Sequence, residues 1–283
     1  MGYITAVRAG AISLVIFTVL SFVIPSAEVR PDGIELVLTV STFLFAIFSG
    51  FFISRLTSRY DIMRDATSSE DAHWTTLYEL GGYFEDDIKE QLGELIDKYF
   101  IIAFDVFELS KENHHNVHIL HNIYQLFEKV ELKEDSRGHE VYDDVIQTLG
   151  LIEADRNHKS VLVHQVMTSG QWAIVLILAA IIIGSMFSFG IDELYFQLVT
   201  AVLSAVVVTV LSTMRDLQAL RIGTEQGLQD SGENIFRMIG RAPYFNQNHI
   251  DSGLVVISDD TKTYRVGRHT PGSQEMNIEI VSL

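Results

Sequence analysis

The sequence has no cysteine, only four prolines and few basic residues. Without cysteine the chain can form no disulfide, no thiolate metal site and no cysteine nucleophile. Its 20 Lys and Arg stand against 37 Asp and Glu, which gives a net charge of −17. Such a charge argues against nucleic acid as a partner, because phosphate binding needs a basic surface. Hydrolase, P-loop and H-E-x-x-H motifs are also missing, so we do not expect an enzyme.

Hydrophobic residues are abundant, at 48% of the chain, although the protein is strongly acidic. Four apolar stretches are long enough to cross a bilayer core, which takes roughly 20 helical residues. They cover residues 9–24, 36–54, 172–190 and 194–214. The first is not expected to be a cleaved signal peptide, since a second span follows closely. The sequence therefore predicts an all-α integral membrane protein with four transmembrane helices.

The positions of Lys and Arg predict the orientation of these helices. Loop 26–33 holds one basic residue, Arg30, and loop 191–193 holds none. Basic residues are more frequent in the segments that follow the second span, precede the third span and follow the fourth span. Segments rich in Lys and Arg face the cytoplasm. We therefore expect a multi-pass protein of the plasma (inner) membrane with both termini in the cytoplasm.

The long segment between the second and third spans carries most of the acid. Residues 56–170 contain 23 acidic and 10 basic residues, a net charge of −13. Apolar residues three or four apart predict helices over 85–107, 115–132 and 141–166, with a turn at 136–138. A further helix is expected to continue from the second span to Leu80.

The C-terminal residues show a different pattern from the rest of the chain. Short β-prone runs at 254–257, 263–266 and 277–281 predict a small three-stranded meander. The predicted domains are therefore two spans in 1–55, an acidic helical cytoplasmic domain in 56–170, and two spans in 171–214. A cytoplasmic helix in 215–242 and a β-rich tail in 243–283 complete the chain.

Three histidines form the densest cluster of potential metal ligands. His114 and His118 are four residues apart and His118 and His121 are three apart, so on a helix they share one face. They could bind Zn²⁺ or sense pH. The alternative is that they are ordinary solvated histidines, because no fourth ligand stands at a suitable spacing. No cofactor is predicted.

The second span carries a row of large apolar residues. Phe43, Ile47 and Phe51 are spaced by four and so stack along one side of a helix. The same row reaches Arg55 and Arg59 at one end. At the other end it reaches Thr39 and then Glu35. By composition alone, residues of this kind in a membrane helix face lipid.

Residues 46–64 resemble the second transmembrane helix of the bestrophin channels. The shared pattern is Ala46-Ile47-Phe48-x-Gly50-Phe51, followed by Ser54, Ser58-Arg59-Tyr60 and Arg64. The resemblance implies a pentamer around a central pore, with a hydrophobic neck formed by Phe43, Ile47 and Phe51. In such a pore Glu35 and Thr39 are candidates for the outer mouth, and Arg55 and Arg59 are candidates for the cytoplasmic exit. Residues 220–227 depart from the family, because they lack the Pro-Phe pair and acidic run of its calcium clasp. Calcium gating there is not expected, and the region 230–233 is only a weak substitute.

These features together predict a homo-oligomeric ion channel with inorganic ions, the lipid bilayer and other copies of itself as partners. Its pore is expected to favour cations, because the acidic 56–170 segment and Glu35 outweigh Arg55 and Arg59. The alternative is a non-conducting membrane signalling or scaffold protein whose acidic cytoplasmic domain binds a partner. A metal-dependent membrane enzyme is a third reading.

Overall fold

The computed structural model describes residues 4–24, 32–105, 117–130, 136–188, 193–219, 233–251, 255, 257, 261–269 and 277–282. The described residues are mostly helical. The main helices are α1 (Ile4–Val23), α2 (Ile34–Gly81), α3 (Asp86–Asp105), α4 (Val117–Glu128), α5 (Ser136–His164), α6 (Ser169–Ser188), α7 (Leu194–Gln218) and the short α8 (Gln247–Asp251). Residues 233–238 are also helical. The strands are β1 (Tyr244–Asn246), β2 (Thr263–Gly267) and β3 (Ile278–Ser282).

The chain divides into two compact units. The first, here called the span unit, comprises residues 1–61 and 166–224, and the second, the polar unit, comprises 62–165 and 225–283. The span unit contains 7 acidic and 6 basic residues, whereas the polar unit contains 30 acidic and 14 basic ones. Almost the whole net charge of −17 therefore belongs to the polar unit, and the apolar helices belong to the span unit.

Four helices, α1, α2, α6 and α7, are long and apolar enough to cross a membrane. This confirms the four stretches predicted from hydropathy. The predicted continuation of the second span is also confirmed, since α2 is one helix of 48 residues. At 1.5 Å per residue it is about 72 Å long, more than twice the thickness of a bilayer core. The second half of α2 therefore extends well beyond the length that a membrane needs.

The core of the span unit lies between α2, α6 and α7. Its buried members are Phe45, Phe52, Leu56, Val175, Ala179, Ile182, Val207, Met214 and Leu217, with Met167 beside them. Helix α1 packs along α7, and the two backbones come close at Gly10. A Cβ atom at Gly10 would lie 2.5 Å from Oγ1 of Thr209.

The core of the polar unit gathers side chains from the second half of α2 and from α3, α4 and α5. Trp74 and Leu77 of α2 are fully buried in it. The carboxylate of Glu70 is buried beside them. It accepts hydrogen bonds from Oη of Tyr99 at 2.5 Å and Nε1 of Trp74 at 3.4 Å, and it pairs with Nζ of Lys159. Burial of this acid is tolerated because each neighbour is a donor or a cation.

The C-terminal residues form a three-stranded sheet in the order β1-β2-β3, which corrects the predicted meander. β1 pairs with β2 in parallel and only β2 and β3 are antiparallel. A parallel pair needs a crossover connection, and α8 lies in that connection. The first strand is Tyr244–Asn246, whereas residues 255 and 257 of the expected strand at 254–257 are not in a strand.

Two further local predictions were wrong. The turn expected at 136–138 is the first turn of α5. The helix expected over 215–242 does not run unbroken from its start, because α7 ends at Gln218 and Ala219 lies in a turn. Residues 220–232 of that expected helix lie outside the described residues, and residues 233–238 are helical.

Candidate functional site: the two faces of helix α2

The first half of α2 has one buried face and one exposed face. Ser41, Phe45, Ser49 and Phe52 are buried against the rest of the span unit. The opposite face carries the predicted neck residues, with Phe43 65%, Ile47 51% and Phe51 60% exposed. All three therefore lie on one face that the protein's own helices leave uncovered.

Small residues run along the same exposed face. They are Thr42, Ala46, Gly50, Ser54 and Ser58, each four residues after the last and each exposed. Over the described part of the chain, no atom outside the helix's own turns lies within 4 Å of a Cβ built on Gly50. This small-residue stripe was not recognised from the sequence, although its spacing is visible there. The exposure of these residues in the structure was needed to show that the stripe does not pack against the other described helices of the chain.

The two residues predicted at the outer mouth lie at the start of α2, and both are exposed. Glu35 is in the first turn, where the helix dipole favours a carboxylate. Oγ1 of Thr39 donates to the backbone carbonyl of Glu35 at 2.7 Å. The hydroxyl of Thr39 is thus bonded within its own helix.

Arg55 and Arg59, the two residues predicted at the pore exit, lie on different faces. Arg55 is exposed. Arg59 is only 5% exposed, and its Nη1 donates to the backbone carbonyl of Gln218 at 3.0 Å. A row of residues spaced by four drifts about 40° per step on a helix with 3.6 residues per turn. That drift takes Arg59 from the exposed row into the span unit, where it contacts the end of α7.

A set of polar contacts, here called the polar collar, joins the start of α1, the middle of α2, the start of α6 and the end of α7. Besides Arg59, Nε1 of Trp172 in α6 donates to Oε1 of Gln218 in α7 at 2.8 Å. The backbone N–H of Ala6 in α1 donates to Oδ2 of Asp216 in α7 at 3.0 Å. Asp216 is buried and satisfies one of the amides that a helix N-terminus leaves without an intrahelical partner. The polar collar therefore consists of Ala6, Arg59, Trp172, Asp216 and Gln218.

The histidine cluster is only partly within the described residues. His114 lies outside them, as do residues 220–227 and 230–232 near the expected position of the calcium clasp. His118 and His121 are exposed on α4, and Nε2 of His121 lies 3.1 Å from Nε2 of Gln125. Over the part of the chain that the structure describes, no group of three potential metal ligands comes together.

Comparison with known proteins gives a single family assignment. The chain matches the family model described as Bestrophin-like domain over residues 8–219. No curated protein and no solved structure matches it. The matched range begins in α1 and ends just after α7, so it takes in all four apolar helices and leaves out the C-terminal sheet. This protein therefore belongs to the bestrophin-like family.

Proposed function

We propose that this protein is a homo-oligomeric ion channel of the plasma membrane, a pentamer in which α2 of each subunit lines a central pore. The observation that carries the proposal is the exposed face of α2 with Phe43, Ile47 and Phe51 in one row. In an oligomer built around this face, each residue becomes a ring of identical side chains. A constriction made of apolar rings can exclude water and so stop ions without a physical plug.

The small-residue stripe favours a protein neighbour over lipid on this face. Glycine inside a helix costs roughly 0.5–1 kcal/mol relative to alanine, so Gly50 needs a compensating reason. Among the residues that the structure describes, no neighbouring atom requires a glycine at this position. Close approach of another helix is the usual reason for small residues at four-residue spacing in membrane helices. In this proposal the neighbouring helix is α2 of the adjacent subunit.

The proposed pore favours cations. The polar unit carries 30 acidic and 14 basic residues in each subunit, and Glu35 is exposed at the first turn of α2. Acidic residues along an ion path concentrate cations and deplete anions. Arg59 does not offset them on the exposed face of α2, because its side chain is buried against α7. Arg55 is exposed and acts in the opposite direction.

The proposed orientation puts both termini and the polar unit in the cytoplasm. Loop 26–33 holds one basic residue and loop 191–193 none, which is typical of loops on the outer side. The polar collar supports the proposal that the chain segments leaving the span unit lie on the same side of the membrane. It brings together the start of α1, residue 59 of α2, the start of α6 and the end of α7.

Currents through purified protein in planar bilayers test the proposal. Replacing Phe43, Ile47 and Phe51 together with alanine is expected to raise the basal current, because smaller side chains widen and wet the neck. Assembly should be retained, since more than half of each of these residues is exposed within the subunit.

A matched control is available on α7, where Leu198, Val202 and Val206 have the same spacing and are 46–51% exposed. Their triple alanine variant is expected to leave the current unchanged. Equal currents from the parent and the α2 variant would contradict the neck. If neither passes current, the non-conducting scaffold is the better description.

A further inference from the structure

We propose that Arg59 is a positioning residue of the neck, because its guanidinium caps the C-terminal end of α7 and thereby fixes the rotation of α2. The last four carbonyls of a helix have no intrahelical partner. In α7 the carbonyl of Arg215 receives the N–H of Ala219 at 3.0 Å, and the carbonyl of Gln218 receives Nη1 of Arg59 at 3.0 Å. The cation also complements the negative end of the helix dipole.

The contact acts on the neck through a continuous helix. Arg59 lies eight residues after Phe51 on α2, which is about 12 Å along the helix axis. Between them, Phe52 and Leu56 are buried in the apolar core of the span unit. Apolar burial is non-directional and leaves a helix free to rotate slightly. A hydrogen bond has a narrow range of distance and angle, so Arg59 restricts that rotation.

The acceptor of this contact is itself held in place. The side chain of Gln218 accepts a hydrogen bond from Nε1 of Trp172 at 2.8 Å. The start of α6 is therefore bound to the same residue as Arg59. Asp216, one turn or less away, binds the N-terminal end of α1. Arg59 is a contact by which α2 joins this polar collar. Losing it should therefore loosen the last turn of α7 and leave the rotation of α2 less restricted.

A first measurement follows the collar itself and does not depend on conduction. With Trp74 replaced by phenylalanine, Trp172 is the only tryptophan left, so quenching of its fluorescence by acrylamide reports on the contact with Gln218. Arg59→Gln is expected to increase quenching, because the last turn of α7 loses its cap. Arg59→Lys keeps a charged donor and should stay close to the parent. Arg64→Gln, at an exposed position of the same helix, should have no effect.

A second measurement follows the rotation of α2, and it rests on the proposed function. Because the chain has no cysteine, a thiol reagent labels only the cysteine that is introduced. In proteoliposomes, Ile47→Cys replaces one apolar ring of the proposed neck with smaller side chains that admit water, so it should react with a water-soluble methanethiosulfonate, whereas Phe45→Cys on the buried face should not. Adding Arg59→Gln should lower labelling at position 47, whereas adding Arg59→Lys or Arg64→Gln should preserve it.

The outcomes separate the two proposals. If Ile47→Cys does not react in a protein that keeps Arg59, the proposed neck and the proposed channel are both wrong. If it reacts equally with and without Arg59→Gln, the channel stands and the positioning role is overturned. Unchanged quenching of Trp172 in Arg59→Gln would overturn the capping contact, whatever the labelling shows. If Arg59→Gln does not fold, loss of labelling in Arg59→Lys would also overturn the role, because that variant keeps the donor.

Discussion

Asp105 at the end of α3 illustrates how a single buried carboxylate organises the C-terminal sheet. It accepts hydrogen bonds from Oη of Tyr244 at 2.6 Å and Nδ2 of Asn246 at 2.8 Å, and it contacts Nε2 of His269 at 2.5 Å. Eight residues earlier, Asp97 forms a two-point ion pair with Arg265 of β2. These contacts lie within the polar unit and attach the sheet to α3.

The buried His249 beside this cluster predicts a pH dependence of stability. Burial lowers the pKa of His249 below its ordinary value of about 6.5, and the carboxylate of Asp105 opposes that shift only in part. The unfolded chain therefore binds a proton at higher pH than the folded chain does. The contribution of His249 to the free energy of unfolding is present above about pH 6.5, and it is lost as the pH falls below that value.

Thermal unfolding of the detergent-solubilised protein between pH 7.5 and 5.5 checks this expectation. The melting temperature should fall on acidification, and His249→Gln should reduce that dependence. His158→Gln, at an exposed position on α5, should leave the dependence as it is. A parent protein that gains stability on acidification would show that the sign is wrong.

At the scale of elements, the close packing of α1 against α7 depends on Gly10. Alanine at this position would bring its Cβ within 2.5 Å of Oγ1 of Thr209, which is already bonded to the carbonyl of Ala205. Gly10→Ala should therefore destabilise the span unit by about 1–3 kcal/mol, the usual cost of overpacking. Adding Thr209→Ala removes the clashing atom and should restore most of the loss.

Gly184→Ala is the matched control, because no atom of the described residues outside the helix's own turns lies within 4 Å of a Cβ at that position. Melting temperatures of the four proteins in detergent give the comparison. Failure of Thr209→Ala to rescue Gly10→Ala would mean that the two helices do not meet as described.

The sequence predicts the helical elements well and the sheet poorly, for a physical reason. An apolar run of 20 residues, or a repeat of three to four residues, is a long signal that only a helix satisfies. β1 has three residues, and its parallel partner β2 begins 17 residues after β1 ends. Pairing at that distance depends on tertiary contacts such as Arg265 with Asp97, which leave no local pattern.

The candidate site follows the same division. The spacing of Phe43, Ile47 and Phe51 is local, and the structure places all three on one exposed face. The burial of Arg59 depends on its contact with Gln218, which lies 159 residues later in the chain. Four-residue spacing alone therefore places Arg59 on the exposed face of α2, where it does not lie. The small-residue stripe is local as well, but its significance depends on knowing which face the fold leaves uncovered.

At the scale of the whole molecule, the separation of charge between the two units predicts ion selectivity. Salt screens charges beyond roughly 8 Å at physiological ionic strength, so only groups near the ion path contribute. Under a KCl gradient, the reversal potential should lie nearer the potassium than the chloride equilibrium potential. Glu35→Gln should weaken that preference and Arg55→Gln should strengthen it. A reversal potential near that of chloride would instead make Arg55 an anion site in the pore.

Electron microscopy of the detergent-solubilised protein tests most directly whether copies of this chain assemble with α2 around a pore. We expect five-fold particles with an axial pore that is narrowest at Phe43, Ile47 and Phe51. The small-residue stripe should lie against the neighbouring α2. Monomers or dimers, or an oligomer that turns the exposed face of α2 toward the detergent belt, would contradict the account.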